Sequence, residues 1–195
     1  HDIAVLTTDT IQIFGADGAP IHRDVFHVTW DVAAAEKGGY PHFMLKEIYE
    51  QPQAVRDTLN SRLQDTVDCP RMEDLGIGQE VLDNLDRIYL VACGTAYHAA
   101  MVGKYLIERI ARVSTVVETA SEFRYRDPII DEKTLVIVVS QSGETADTLA
   151  ALRISKAAGA KVLGIVNVVG SSISREADYV FYTWAGPEIA VASTK

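Results

Sequence analysis

The sequence predicts an α/β fold: an open parallel sheet with helices on both faces, preceded by an antiparallel β-ribbon and a helical linker. Three observations carry that reading. Residues 135–139 are Leu, Val, Ile, Val and Val, five consecutive large aliphatics that mark a strand buried on both faces. Strand-like runs near 88–92, 113–118, 134–139, 161–167 and 178–182 alternate with helical apolar periods near 95–111, 120–126, 144–158 and 171–176. Two of the strands break into short turns of small and hydroxyl residues directly before a helix, at Cys93-Gly94-Thr95-Ala96 and at Ser140-Gln141-Ser142-Gly143-Glu144-Thr145.

The elements follow in chain order. Between residues 3 and 28, the apolar runs Ile3-Ala4-Val5-Leu6, Ile11-Gln12-Ile13-Phe14 and Val25-Phe26-His27-Val28 are separated by turn residues, and the Asp17-Gly18 pair favours a hairpin. This is the ribbon, in a first unit spanning 1–28. Residues 29–86 form a second, polar and helical unit. It holds one short helical stretch, 46–49, and a second over 52–63, where Pro52 suits a first helical turn and Val55, Leu59 and Leu63 recur every four residues. Such a segment wraps a core and does not make one. Residues 87–195 carry the alternating strands and helices. There, Met101, Val102, Tyr105, Leu106 and Ile110 give the first helix its apolar period, and Ala146, Leu149, Leu152, Ile154 and Ala157 give the third.

Both turns suit an anion. A helix N-terminus presents unpaired N–H groups and the positive end of its dipole, Ser140, Ser142 and Thr145 add hydroxyl donors, and Gly143 lets the main chain approach closely. An ordinary Ser/Thr-rich helix cap is the competing account for either turn alone. Two such turns on a parallel sheet share one edge, because the carboxyl ends of all its strands lie together, so they can converge on one ligand. No G-x-x-x-x-G-K-[ST] occurs and no G-x-G-x-x-G opens either helix, so a nucleotide is not the first choice.

Composition removes other classes. A net charge of −9, with no basic run or basic-aromatic stripe, argues against a nucleic-acid partner. The longest apolar runs are strand-sized, which argues against a membrane span. Two cysteines, Cys69 and Cys93, make no disulfide or metal framework, and a reducing cytoplasm is the simplest setting. The five histidines lack ligand spacing, so neither metal nor cofactor is expected. The absent initiator methionine and the stop at Lys195 read as an excised or cleaved piece of a longer chain.

Four stretches carry a family resemblance: residues 93–99 (CGTAYHA), 118–126 (ETASEFRYR), 140–148 (SQSGETADT) and 188–195 (EIAVASTK). In that order they resemble the first sugar isomerase (SIS) domain of the glutamine:fructose-6-phosphate aminotransferase (glucosamine-6-phosphate synthase) family. Residues 44–52 (MLKEIYEQP) resemble the connection from that family's glutaminase domain, and the residues before them resemble the glutaminase domain's last strands. The resemblance implies a flavodoxin-like SIS fold, truncated at its C-terminal end. It also implies a missing glutaminase domain and second SIS domain in a chain about three times longer, and a homodimer.

The same resemblance assigns the site. Ser140, Ser142 and Thr145 match hydroxyls that bind the phosphate of fructose 6-phosphate or glucosamine 6-phosphate, Gln141 lines the same loop, and Thr95 matches a binding threonine in the first turn. Ala96 stands where the family commonly has serine, leaving only its backbone N–H as donor. Val191 and Ser193, with Ala192 between them, fall where the family contacts the sugar by backbone and hydroxyl. The whole enzyme makes glucosamine 6-phosphate from fructose 6-phosphate and glutamine, using a cysteine nucleophile, a Schiff-base lysine, a carboxylate base and a ring-opening histidine. None of these is expected on this chain, and Lys195 is not that lysine. The fragment is expected to bind the sugar by its phosphate, orienting it for groups supplied elsewhere, without turnover.

Glu144 reads as an acid complementing a helix dipole, Cys93 as a small packed residue and His98 as packing. Glu122, Arg124 and Arg126 read as either an ion-pair network or a dimer contact. Two rival functions stand beside the aminotransferase reading. A stand-alone SIS sensor of sugar phosphates calls for a DNA-binding helix-turn-helix in front, where this chain has a β-ribbon and an acidic linker. A self-contained sugar-phosphate isomerase needs a local acid and base, for which Glu144, His98 and Glu188 are the nearby candidates.

Overall fold

In the computed structural model the described residues are 2–24, 36–60, 62–63, 75–190 and 194–195. The ribbon forms as expected: β1 (Ile3–Leu6) pairs antiparallel with β2 (Ile11–Phe14) in the register Ile3 to Phe14. Thr7 closes it, its Oγ1 accepting the Thr10 N–H at 3.0 Å. The Asp17-Gly18 turn then folds the chain back, with Gly18 at φ 78° and a single bridge between Phe14 and Pro20. The third expected strand, 25–28, lies outside the described residues.

The linker corrects one expectation. A single helix, α1 (Phe43–Asn60), runs through Pro52 where the sequence predicts a break and a new start. An interior proline removes one i→i−4 bond and costs about 3 kcal/mol. Tertiary ties on both sides of it hold the helix in place. Glu47 accepts backbone N–H groups from Ile189 and Ala190, and Thr58 Oγ1 donates to the Thr183 carbonyl. The buried residues of α1 are Lys46, Glu47 and Ala54, so this helix meets the body largely through polar groups.

Beyond the short α2 (Gln79–Asp83), the chain alternates β3 (Arg87–Ala92), α3 (Gly94–Ile110), β4 (Ser114–Thr119), α4 (Ala120–Tyr125), β5 (Thr134–Ser140), α5 (Ala146–Ala157), β6 (Lys161–Val166), α6 (Ser172–Glu176) and β7 (Tyr179–Tyr182). The five strands form one sheet, ordered β4-β3-β5-β6-β7, and every neighbouring pair is parallel. Period-two alternation sends side chains to both faces. Tyr89, Val91, Val136, Val138, Val162 and Val166 pack with Ala120 and Phe123 of α4, Ala151 and Leu152 of α5 and Ile173 of α6. On the other face, Ile88, Leu90, Leu135, Ile137 and Leu163 pack with Ala100 and Ile107 of α3 and with Leu75 and Leu85 of the lead-in. The Arg62 guanidinium, just past α1, lies 3.8 Å from the centre of the Phe181 ring.

That strand order has one reversal. Counted from β3, the sheet reads 2-1-3-4-5, so the connections run outward in opposite directions from β3 and β5. Ligands of open α/β sheets sit at the carboxyl ends of the strands flanking such a reversal. The two turns singled out in the sequence are the ones that leave β3 and β5.

Candidate functional site

The loop from β5 to α5 is shaped by its own polar groups. Ser140 Oγ lies 2.9 Å from Thr145 Oγ1 and accepts the Gly143 N–H at 3.1 Å, while Ser142 Oγ accepts the Glu144 N–H at 3.2 Å. Gly143 has φ 67°, a left-handed conformation that glycine adopts freely. Neighbouring elements pin the outside of the loop: the Asn167 N–H donates to the Gln141 carbonyl, and the Ile173 N–H to the Gly143 carbonyl, each at 3.0 Å. Thr145 stands at the N-cap position of α5 without a side-chain cap bond, so its hydroxyl faces Ser140 and not the helix. This shift also explains why the helix begins at Ala146, two residues later than its sequence pattern predicts.

The turn after β3 approaches the same place. A polar cavity of about 250 Å³ is lined by Cys93, Ala96, Val139, Ser140, Gln141, Ser142 and Thr145, together with Glu188 and Ala190 from the segment after β7. Ala96, Ser140, Gln141 and Val139 also border a neighbouring apolar cavity of about 520 Å³ between α1 and the sheet. Thr95 lines this second cavity and not the first. Five of the residues predicted from sequence, Ala96, Ser140, Gln141, Ser142 and Thr145, are therefore brought together around one polar space. Val191 and Ser193 lie outside the described residues.

The other singled-out residues separate by environment. Glu144 is exposed, and its carboxylate accepts the Ser172 N–H at 2.6 Å, which ties the loop to α6. His98 is exposed, edge-on to Tyr97 with ring centres 5.6 Å apart, and borders neither cavity. Cys93 is half-buried against the core, its Sγ 3.9 Å from Thr148 Oγ1. In the charged cluster, Arg126 grips the Glu118 carboxylate and Arg124 meets Asp147 at 3.0 Å, so both cations are engaged within the chain. Glu118 and the Tyr89 hydroxyl hold the Arg126 guanidinium charged, above its ordinary value. Among the described residues no group of three or more His, Cys, Asp or Glu could hold a metal ion, and no helix is long and apolar enough to cross a membrane.

Two buried polar residues that hold the segment after β7 escaped the sequence reading. Asn167, buried at the end of β6, donates from Nδ2 to the Gly186 carbonyl at 2.7 Å, and its Oδ1 accepts from Ala185 N–H and Thr183 Oγ1. Glu47, 2% exposed, holds Ile189 and Ala190 from the far side. Each is a single polar residue in an otherwise ordinary pattern, and its partners lie far along the chain in the case of Glu47. Burial pushes the Glu188 carboxyl above its ordinary value, opposed by the Thr194 and Lys195 amides; the nearby Glu47 charge adds to the rise.

The SIS domain profile matches residues 82–195, more than half of the chain. This chain belongs to the SIS domain family. Relatives extend the likeness in front of the SIS domain. The chain is 59% identical to a Clostridium perfringens protein named glutamine–fructose-6-phosphate aminotransferase (isomerizing), over 100% of this chain and 32% of the relative. It is 53% identical to a Streptomyces coelicolor protein of the same name, over 99% of this chain and 31% of the relative. The chain thus spans about a third of the length of the curated relatives it matches. Among solved structures, the C-terminal domain of the Francisella tularensis glucosamine-fructose-6-phosphate aminotransferase superposes with a TM-score of 0.73 at 47% identity, over 81% of this chain and 44% of that one. The sheet of the SIS domain and its flanking helices are the fold the sequence predicts.

Proposed function

We propose that this chain is the sugar-phosphate-binding part of a glutamine:fructose-6-phosphate aminotransferase, which makes glucosamine 6-phosphate from fructose 6-phosphate and glutamine. The observation that carries the reading is the polar cavity at the sheet's reversal, where Ser140, Gln141, Ser142 and Thr145 meet the start of α5. Hydroxyls and backbone N–H groups at the positive end of a twelve-residue helix suit a phosphate dianion. Thr95 and Ala96 reach the same edge from β3, and the segment containing Val191 and Ser193 supplies the sugar contacts. Binding the phosphate places the sugar carbon skeleton for catalytic groups carried elsewhere in the whole protein.

In the same reading, residues 1–28 belong to the end of a glutaminase domain, 29–86 to the linker and leading helices, and 87–195 to the first of two SIS domains. Homodimerisation in the cytoplasm completes it. The exposed stripe of Val102, Tyr105, Leu106 and Ile110 on α3 supports a pairing surface. Glu188 favours a second reading, a self-contained isomerase, because it lines the cavity with its carboxyl pushed toward the protonated form.

Calorimetric titration separates these. Fructose 6-phosphate is expected to bind and fructose to bind far more weakly; equal affinities refute the phosphate anchor. Incubation with glutamine and fructose 6-phosphate is expected to give no glucosamine 6-phosphate, whereas isomerisation of the sugar by this chain establishes the second reading.

A further inference from the structure

The cavity wall formed by Glu188 and Ala190 follows β7, just beyond Thr183, Ala185 and Gly186, which Asn167 holds. What reaches the wall itself is α1, a helix that precedes the region matched by the SIS family. Glu47, Glu50, Gln51, Ala54 and Thr58 recur at helical spacing along one side of α1. This stripe meets the last part of the chain at successive points. Glu47 Oε1 accepts the Ile189 N–H at 2.7 Å and the Ala190 N–H at 3.0 Å, and Glu47 Oε2 accepts the Thr194 hydroxyl at 2.8 Å. Glu50 takes the Lys195 ammonium, Gln51 donates to the Thr194 carbonyl, and Thr58 donates to the Thr183 carbonyl.

We propose that Glu47 is a positioning residue of the sugar pocket: its buried carboxylate sets the Ile189–Ala190 backbone and thereby the wall opposite the phosphate loop. The proposal rests on the sugar-phosphate reading for the ligand, while the latch itself is a property of the chain. A buried carboxylate needs donors, and two adjacent main-chain N–H groups aimed at one oxygen are available only when the 188–190 backbone adopts this course. Lys195, 4% exposed at its side chain, lies near enough to favour the Glu47 charge, and that charge helps to raise the nearby Glu188 carboxyl. The phosphate loop, by contrast, is pinned by Asn167 and Ile173 and has no hydrogen bond to α1 among those described. The latch therefore governs the sugar side of the pocket and leaves the phosphate side intact.

The test uses the 195-residue chain with Glu47→Ala and Glu47→Gln. Amide hydrogen exchange at Ile189 and Ala190 is expected to quicken about tenfold or more in Glu47→Ala, with the β5 amides unchanged as a check on folding. Glu47→Gln retains an acceptor oxygen and is expected to keep most of that protection. In titrations, Glu47→Ala is expected to weaken fructose 6-phosphate about tenfold while leaving the affinity for inorganic phosphate unchanged. Unchanged exchange at Ile189 and Ala190, or equal loss of both ligands, overturns the proposal. A wild-type chain that binds neither ligand refutes the sugar-phosphate reading instead, and the exchange rates then decide the latch.

Discussion

Ser140 Oγ and Thr145 Oγ1 stand 2.9 Å apart, joining the last residue of β5 to the residue that opens α5. This bond closes the loop on itself. The four residues between them are held in a narrow turn, with Ser142 and the start of the helix directed to the cavity. An anion entering there meets a loop already in place, so little ordering is required of it.

Ser142 is the hydroxyl to remove first. Its Oγ supports the loop through one bond to the Glu144 N–H, and Ser142→Ala leaves the Ser140–Thr145 closure untouched. Loss of one charge-assisted hydrogen bond is expected to weaken fructose 6-phosphate by about 1.5–3 kcal/mol. Calorimetry measures it, and circular dichroism is expected to show an unchanged fold.

Gly143 tests the backbone. A Cβ at this position would stand 2.1 Å from Ser171 Oγ and 2.6 Å from Ser171 Cβ, on a backbone at φ 67°. Gly143→Ala is expected to lower the melting temperature and abolish phosphate binding. Adding Ser171→Gly removes the collision but leaves a left-handed strain of about 1 kcal/mol, so stability is expected to return only in part.

Ala96 tests the turn after β3. It borders both cavities, and Ala96→Ser places a hydroxyl beside Ser140 and Gln141. One added hydrogen bond is expected to tighten fructose 6-phosphate by about 0.5–1.5 kcal/mol. Titration of the variant showing equal or weaker binding refutes a contact from this turn.

Acid is expected to loosen the α1 contact. Burial opposes ionisation of Glu47, yet the Ala190 and Ile189 amides, the Thr194 hydroxyl and the Lys195 charge hold its carboxyl below the ordinary 4.5. A carboxyl lowered on folding adds stability above its unfolded value and loses it as pH falls through the folded value. Urea melts are therefore expected to show the gap between wild type and Glu47→Gln narrowing below 4.5. Glu188, whose carboxyl is raised, has the opposite sign: its cost is absent in acid and grows as pH rises through its folded value. Glu188→Gln is expected to gain stability at neutral pH.

The parallel sheet was legible in the sequence because each of its strands is a short apolar run, and the alternation of period two with period 3.6 is a local property of neighbouring residues. The shape of the loop after β5 was legible for the same reason, since Ser140, Gln141, Ser142, Gly143 and Thr145 lie within six consecutive positions and their hydroxyls shape their own turn. Local chemistry misplaced the helix boundary in the linker: Pro52 reads as a helix start, whereas α1 runs through it with the long-range ties of Glu47 and Thr58 on either side. Sequence placed Thr95 in the first turn, and the fold sets it against the apolar cavity beside α1. The strand order β4-β3-β5-β6-β7, which brings two separated turns to one reversal, and the buried Glu47, which meets residues 142 and more positions away, were decided by tertiary structure. Periodicity records which face of an element is apolar, but it does not record which element will cover that face, nor which distant N–H groups a buried carboxylate will find.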